Sequence, residues 1–308
     1  VGSEMCIRDR NIFDGTFSTE GIGRYEWKNN SDSYFFSKSS EKSLDFFELE
    51  VSKNDTTKSF SISKDLIDNF SYSFSPNQDM LLLKKNHKQL WRHSSYGTYY
   101  VYNINQMSLK PISSQPDSLR NVKFSPDSKK IAYVRNDNNL YMYEISEEKE
   151  TQLTFDGSDT ILNGHFGWVY EEEFGTYDSY KWSPNSQFIA FIREDQELVR
   201  EYALVDYEEQ YPVVKYIRYP KAGEDNPIVS IIILDLLNEE YRTVNLPDTS
   251  YYIPDIVWQV NSSNLFFATL NRKQNDWNLY KYDFELNNGT LILNDKNCLL
   301  YTSPSPRD

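Results

Sequence analysis

Five times along the chain an aromatic residue is followed by a short turn rich in Ser, Pro, Asn or Asp and then by an apolar run. The windows are YEWKNNSDSYFF from Tyr25, YSFSPNQDMLLL from Tyr72, VKFSPDSKKIAYV from Val122, YKWSPNSQFIAFI from Tyr180 and IVWQVNSSNLFFATL from Ile256. Pro and Asn supply turn dihedrals and the flanking residues favour β structure, so each window predicts a strand, a tight turn and a second strand. The aromatics that head the units, Trp27, Phe74, Phe124, Trp182 and Trp258, recur at intervals of 47, 50, 58 and 76 residues. A period of about 40 to 50 residues in an all-strand pattern predicts propeller blades of about four strands each. A further hairpin is visible within a unit: IAYVR from Ile131, the turn NDNN, then LYMYEI. The expected fold class is all-β, an incomplete β-propeller with about five blades of an eight-bladed ring. A β-sandwich with coincidental turns is the alternative, and five recurrences of one pattern weigh against it. The 76-residue interval predicts an insertion that elaborates the fourth blade, since it holds no Gly/Ser linker.

The two ends read differently from the rest. Val1 to Asp9, back-translated and reverse-complemented, encode one base out of frame the peptide Leu-Leu-Tyr-Thr-Ser-Pro-Ser-Pro, which is Leu299 to Pro306. One DNA element in opposite orientations explains both, so residues 1–10 and 298–308 are expected to be translated sequencing adaptor and are set aside from fold reasoning. Residues 11–297 are then expected to be a partial propeller domain of a longer protein. Both cysteines, Cys6 and Cys298, lie in the adaptor segments, which leaves no disulfide framework or cysteine metal site to consider.

Sixteen per cent aromatic residues indicate a packed protein rather than a disordered one. A net charge of -14 argues against nucleic-acid or anionic-membrane partners, which require a basic face. No run approaches the length of a spanning helix, so no membrane span is expected in this segment. His87 and His93 have no acidic or cysteine ligand at a suitable spacing, so no metal is expected, and no phosphate-loop spacing or other cofactor motif occurs, so no cofactor is expected either.

The segment GHFGWVYEEEFG, residues 164–175, sets three glutamates beside residues that seek burial. Taken alone it fits a buried Trp168-Val169-Tyr170 strand followed by a solvated helix end or loop; the alternative is a carboxylate pair held at a cavity wall to bind a cation. His165, next to it, is expected to pack or hydrogen-bond rather than act as a base.

NGHFGWVYEEEF, followed by YKWSPNSQFIAFIRED and QYPVVKYIRYPKAGEDNP and preceded by WRHS at 91–94, resembles the N-terminal β-propeller of the dipeptidyl peptidase IV family, serine exopeptidases of the prolyl oligopeptidase clan. The resemblance implies a propeller that cages an α/β-hydrolase domain of the same parent chain and gates access to it. It implies that Glu172 and Glu173 bind the free α-amino group of a peptide substrate, and that Arg92 contacts the substrate's backbone carbonyl. Glu171 inherits no substrate role and is expected to be a structural contact or a solvated side chain. A peptide amine, with a pKa of about 7.7 to 8.0, is largely cationic at neutral pH, so paired carboxylates bind it through charge-assisted hydrogen bonds. Fixing the amine at one distance from the nucleophile makes the glutamates a ruler for dipeptide length, and the family resemblance implies that the dipeptides released are X-Pro or X-Ala.

No Gly-X-Ser-X-Gly elbow occurs in the chain, so its catalytic residues are expected in a following domain. The family habit also implies a periplasmic or extracellular location and a parent that forms a homodimer. A non-enzymatic peptide- or protein-binding propeller, including an inactive homologue, and a related peptidase of other specificity remain as alternatives.

Overall fold

A computed structural model of the chain describes residues 24–208, 210–247, 251–260, 264–283 and 287–296. Both segments attributed to adaptor lie outside the described residues. The chain divides into two compact units, Val1–Asp68 and Asn69–Asp308.

The first unit holds one antiparallel sheet, with strands β1 (Tyr25–Trp27), β2 (Ser33–Ser39), β3 (Ser43–Glu50) and β4 (Asp55–Ser63) in sequence order. Phe46 is fully buried and stacks on Phe60 at 4.3 Å between ring centroids, across β3 and β4.

The second unit repeats this plan. Strands β5 (Ser71–Phe74), β6 (Met80–Gln89), β7 (Ser95–Asn103) and β8 (Ser108–Pro111) form one sheet. Strands β9 (Arg120–Phe124), β10 (Lys130–Val134), β11 (Leu140–Glu144) and β12 (Lys149–Gln152) form the next. The fourth repeat is interrupted. It begins with β13 (Ile161–Asn163), a short helix α1 (Trp168–Phe174), β14 (Tyr180–Trp182) and β15 (Phe188–Asp195). A separate hairpin of β16 (Glu201–Asp206) and β17 (Val213–Arg218) follows, and the sheet then resumes with β18 (Ile228–Asp235) and β19 (Glu240–Thr243). The long interval is thus a hairpin spliced between two strands of one blade. The last sheet runs through β20 (Ile256–Trp258), β21 (Leu265–Leu270), β22 (Asp276–Asp283) and β23 (Asn288–Lys296). This is an incomplete β-propeller, each antiparallel sheet a blade.

The five heading aromatics each end the strand that enters the repeated hairpin and pair with the residue seven positions on: Trp27 with Tyr34, Phe74 with Leu81, Phe124 with Ile131, Trp182 with Ile189 and Trp258 with Leu265. Turn chemistry sets that register. In the Ser-Pro turns the hydroxyls of Ser75, Ser125 and Ser183 accept the N–H of Met80, Lys130 and Phe188, at 3.0, 2.9 and 2.8 Å. The fourth turn residue in each, Gln78, Ser128 and Ser186, is left-handed, with φ of 62°, 61° and 60°. The turns also tie neighbouring blades together. The N–H of Asn77 donates to Ser128 Oγ of the following blade at 3.0 Å, and the N–H of Asp127 donates to Ser186 Oγ of the blade after that, also at 3.0 Å.

Apolar side chains of adjacent blades meet face to face. One cluster joins Leu82 and Val101 to Ile131 and Tyr133; a second joins Val134 and Leu140 to Ile189 and Phe191; a third joins Ile192 and Ile231 to Ile256 and Phe267. Buried tyrosines stitch across these seams: Tyr180 donates its hydroxyl proton toward Ala132 O, 2.8 Å away, and Tyr133 toward Ile112 O at 3.0 Å. Each hydroxyl is thereby satisfied at the edge of an apolar layer, as a buried phenol requires. Among the described residues no helix is long and apolar enough to cross a membrane.

Candidate functional site

The Trp-Val-Tyr stretch expected as a strand is helical. Seven residues cannot sustain an isolated helix in water, so tertiary contacts must hold α1 in place. Tyr170 and Phe174 are spaced four apart and share one face of the helix, and Phe166, just before its start, packs on that face. Phe166 stacks on Tyr170 at 4.1 Å, Phe174 packs against Tyr170 at 5.3 Å, and Tyr170, fully buried, accepts the N–H of Ile253 on its hydroxyl at 3.0 Å. These contacts override the β preference of the local sequence.

Both ends of α1 are fixed. At its start the N–H of Gly167 donates to Glu194 Oε2 at 2.9 Å, and Gln196 Nε2 donates to Glu194 Oε1 at 2.7 Å. Glu194 is buried, and desolvation raises its pKa against the effect of those two donors. At the other end Gly175 adopts φ 65°, a conformation that favours glycine, and its N–H donates to Tyr170 O.

With its aromatic face buried, α1 presents the three glutamates in three different ways. Glu171 is 2 % exposed, and its Oε1 accepts the backbone N–H groups of His93 and of Ser94, the latter at 2.8 Å. Those residues belong to the loop between β6 and β7, the loop that carries Arg92. Glu172 is half-buried, and its Oε2 lies 3.0 Å from Arg92 Nη2. Glu173 is exposed on the edge of an open cavity of about 830 Å³ that is also lined by Tyr219, Lys221, Tyr252 and Arg272. The Tyr-Pro-Lys-Ala-Gly string, residues 219–223, therefore shares a cavity with the glutamate motif some 50 residues before it, and Trp168 of α1 meets Tyr219 edge-on at 5.3 Å.

The structure thus brings Arg92 and Glu172 into contact, and the next residue of the helix, Glu173, lines the cavity. It also gives Glu171, a candidate structural contact by sequence, a specific task that no local signal announces: its partners lie 77 and 78 positions away.

The three histidine side chains take other roles. His165 is fully buried. Arg120 Nη2 donates to its Nε2 at 2.7 Å, and its Nδ1 lies 3.1 Å from Phe166 O. Desolvation, and then the Arg120 charge, push its pKa well below 6.5, so the ring stays neutral and serves as a hydrogen-bonded spacer. His93 stacks against Tyr177 at 6.3 Å, and His87 sits 3.0 Å from Gln89 Oε1. Among the described residues no group of three or more His, Cys, Asp or Glu converges as a metal site would require.

Comparison with known proteins places these features. Residues 75–304 match the family model described as the dipeptidyl peptidase IV (DPP IV) N-terminal region. A probable dipeptidyl-aminopeptidase B of Talaromyces marneffei is 31% identical over 239 residues, which cover 71% of this chain and 26% of that protein. The prolyl endopeptidase FAP of Bos taurus is 30% identical over 285 residues, covering 89% of this chain and 37% of the relative. Among solved structures, dipeptidyl peptidase 4 of Porphyromonas gingivalis superposes with a TM-score of 0.83 at 30% identity, covering 94% of this chain and 42% of that one. The chain thus spans between about a quarter and two-fifths of the length of these proteins.

Proposed function

We propose, from the premise that this chain belongs to the dipeptidyl peptidase IV family, that Arg92, Glu172 and Glu173 together receive the free N-terminus of a peptide and so gate a serine-type dipeptidyl peptidase. The observation that carries this reading is the meeting of Arg92 and Glu172 at 3.0 Å from positions 80 residues apart, next to Glu173 on a cavity edge. The Arg92 side chain is 69 % exposed. The Glu172 side chain is only 18 % exposed, so water screens the pair mainly from the Arg92 side, which brings its contribution to stability toward the about 0 to 1 kcal/mol of surface pairs. As a binding device it makes sense: Arg92 balances one carboxylate and offers donors to a peptide carbonyl, while Glu173 leaves a second carboxylate facing the cavity. An ammonium group entering there gains charge-assisted hydrogen bonds, and an acylated N-terminus gains none.

On this reading the amine is the fixed end of a two-residue measure, and the longer protein releases X-Pro or X-Ala dipeptides through an α/β-hydrolase domain that supplies the serine nucleophile. The same reading extends to action outside the cytoplasm, in the periplasm or beyond the cell.

The test uses the full-length protein that carries this segment, with glycyl-prolyl-p-nitroanilide and its N-acetyl derivative as substrates. Turnover of the first and at least a tenfold lower kcat/KM for the second is expected, since each lost hydrogen bond to a charged group costs about 1.5 to 3 kcal/mol. Glu172→Ala and Glu173→Ala should each erase most of the preference. Equal use of both substrates overturns the amine-binding reading, and no turnover of either would leave a peptide-binding propeller in its place.

A further inference from the structure

Glu171 is the one glutamate of the motif that faces inward. A fully buried carboxylate is costly unless strong donors surround it, so its partners are informative. Both backbone donors reach the same oxygen, Oε1, and both come from the residues that follow Arg92 in the β6–β7 loop. Beyond the His93 ring stacked on Tyr177 and the Arg92–Glu172 pair, the other hydrogen bonds of the loop are internal: the N–H groups of Leu90 and Trp91 close back on Ser94 O at 3.0 and 3.3 Å, and Gln89 Nε2 donates to Arg92 O at 3.1 Å. These bonds shape the loop internally, whereas Glu171 ties it to α1.

We infer that Glu171 is a positioning residue, which sets the distance between Arg92 and Glu172 by clamping the Arg92 loop to the helix that carries Glu172 and Glu173. The inference rests on the amine-binding reading above. Glu171 itself touches no substrate. Adjacent residues on one rigid turn of helix hold the two halves of the site: residue 171 grips the loop backbone and residue 172 meets that loop's arginine. The register of loop against helix is thereby determined to within the length of a hydrogen bond.

Three variants of the full-length protein test this. Glu171→Gln keeps an Oε1 that can accept both N–H groups and should stay within about threefold of the wild-type kcat/KM on glycyl-prolyl-p-nitroanilide. Glu171→Ala, which leaves the buried Ser94 N–H and the part-buried His93 N–H without their acceptor, should lower kcat/KM at least about tenfold, mainly through KM. Glu171→Asp keeps the charge but withdraws the oxygen by one methylene; it should fall in the same direction, and it carries the test should the alanine variant not fold. The decisive measurement is a cycle with Arg92→Ala. If Glu171 acts through Arg92, Glu171→Asp costs less than about twofold once Arg92 is gone. A merely structural glutamate would give effects that multiply, and that result, or wild-type KM in a folded Glu171→Asp protein, overturns the inference. A wild-type protein that ignores N-acetylation points instead to failure of the amine-binding reading, which the variants do not address.

Discussion

Gly167 opens helix α1, and replacing it with alanine probes how tightly that helix is seated. Its backbone lies at φ -76° and ψ 178°, which any residue adopts, so Gly167→Ala incurs no conformational strain. The difficulty is space. An alanine Cβ would stand 2.1 Å from Gln196 Nε2 and 3.1 Å from Glu194 Oε1. The amide of Gln196 must move away, and in doing so it gives up its 2.7 Å bond to the buried Glu194. Losing a donor to such a group costs about 1.5 to 3 kcal/mol. Restricting the unfolded chain returns about 0.4 to 1 kcal/mol. The net expectation is a destabilisation of about 1 to 2 kcal/mol, read as a lower urea midpoint in the full-length protein by tryptophan fluorescence. In a Gln196→Ala background the colliding amide is absent, and Gly167→Ala should become neutral or slightly stabilising. An unchanged midpoint for the single variant, or the same loss in both backgrounds, would refute the collision argument.

Other expectations follow from the same chemistry. Burial raises the pKa of Glu194, so the folded state holds its proton more tightly than the unfolded state. Stability should then fall as pH rises from about 4.5 through the folded pKa, and Glu194→Gln should flatten that slope in urea titrations between pH 4 and 8. For Lys123, desolvation outweighs the attraction of Asp178 and lowers the pKa to about 8. The unfolded state binds more protons between pH 8 and 10, stability rises with pH across that window, and Lys123→Met should abolish the rise. Strand β23 is the outermost strand of its sheet and exposes Leu291, Ile292 and Leu293. The isolated 308-residue chain should therefore self-associate, and Ile292→Lys should shift its elution toward the monomer; a monodisperse unmodified chain would contradict this.

The blades were legible in the sequence because their instructions are local. Proline, serine and asparagine at fixed offsets from an aromatic define a turn whose donors and acceptors lie within five residues, and the observed pairing of each heading aromatic with the seventh residue after it follows that pattern. The hairpin of β16 and β17 showed only as an overlong interval, since nothing in its composition separates an inserted pair of strands from an extended loop. Helix α1 was not legible. Trp168, Val169 and Tyr170 favour strands, and what makes them helical is the packing of Tyr170 against Phe166 and Phe174 together with glycines suited to the two ends. Glu171 was ambiguous for a related reason: a carboxylate whose partners are backbone N–H groups in another blade leaves no side-chain pattern to read.

The ties between blade turns have a polarity. The N–H that needs a partner lies in the earlier blade, at Asn77 and at Asp127, and the serine that satisfies it is supplied by the next, at Ser128 and at Ser186. A ribosome delivers these in the order donor, then acceptor. At these two seams the earlier turn stays unlatched until 51 and 59 further residues have followed, so each locks only once the next blade's turn has been made. Rigidity therefore advances along the growing chain as a front, and a translational pause just before Ser128 or Ser186 would hold that front open at a defined seam.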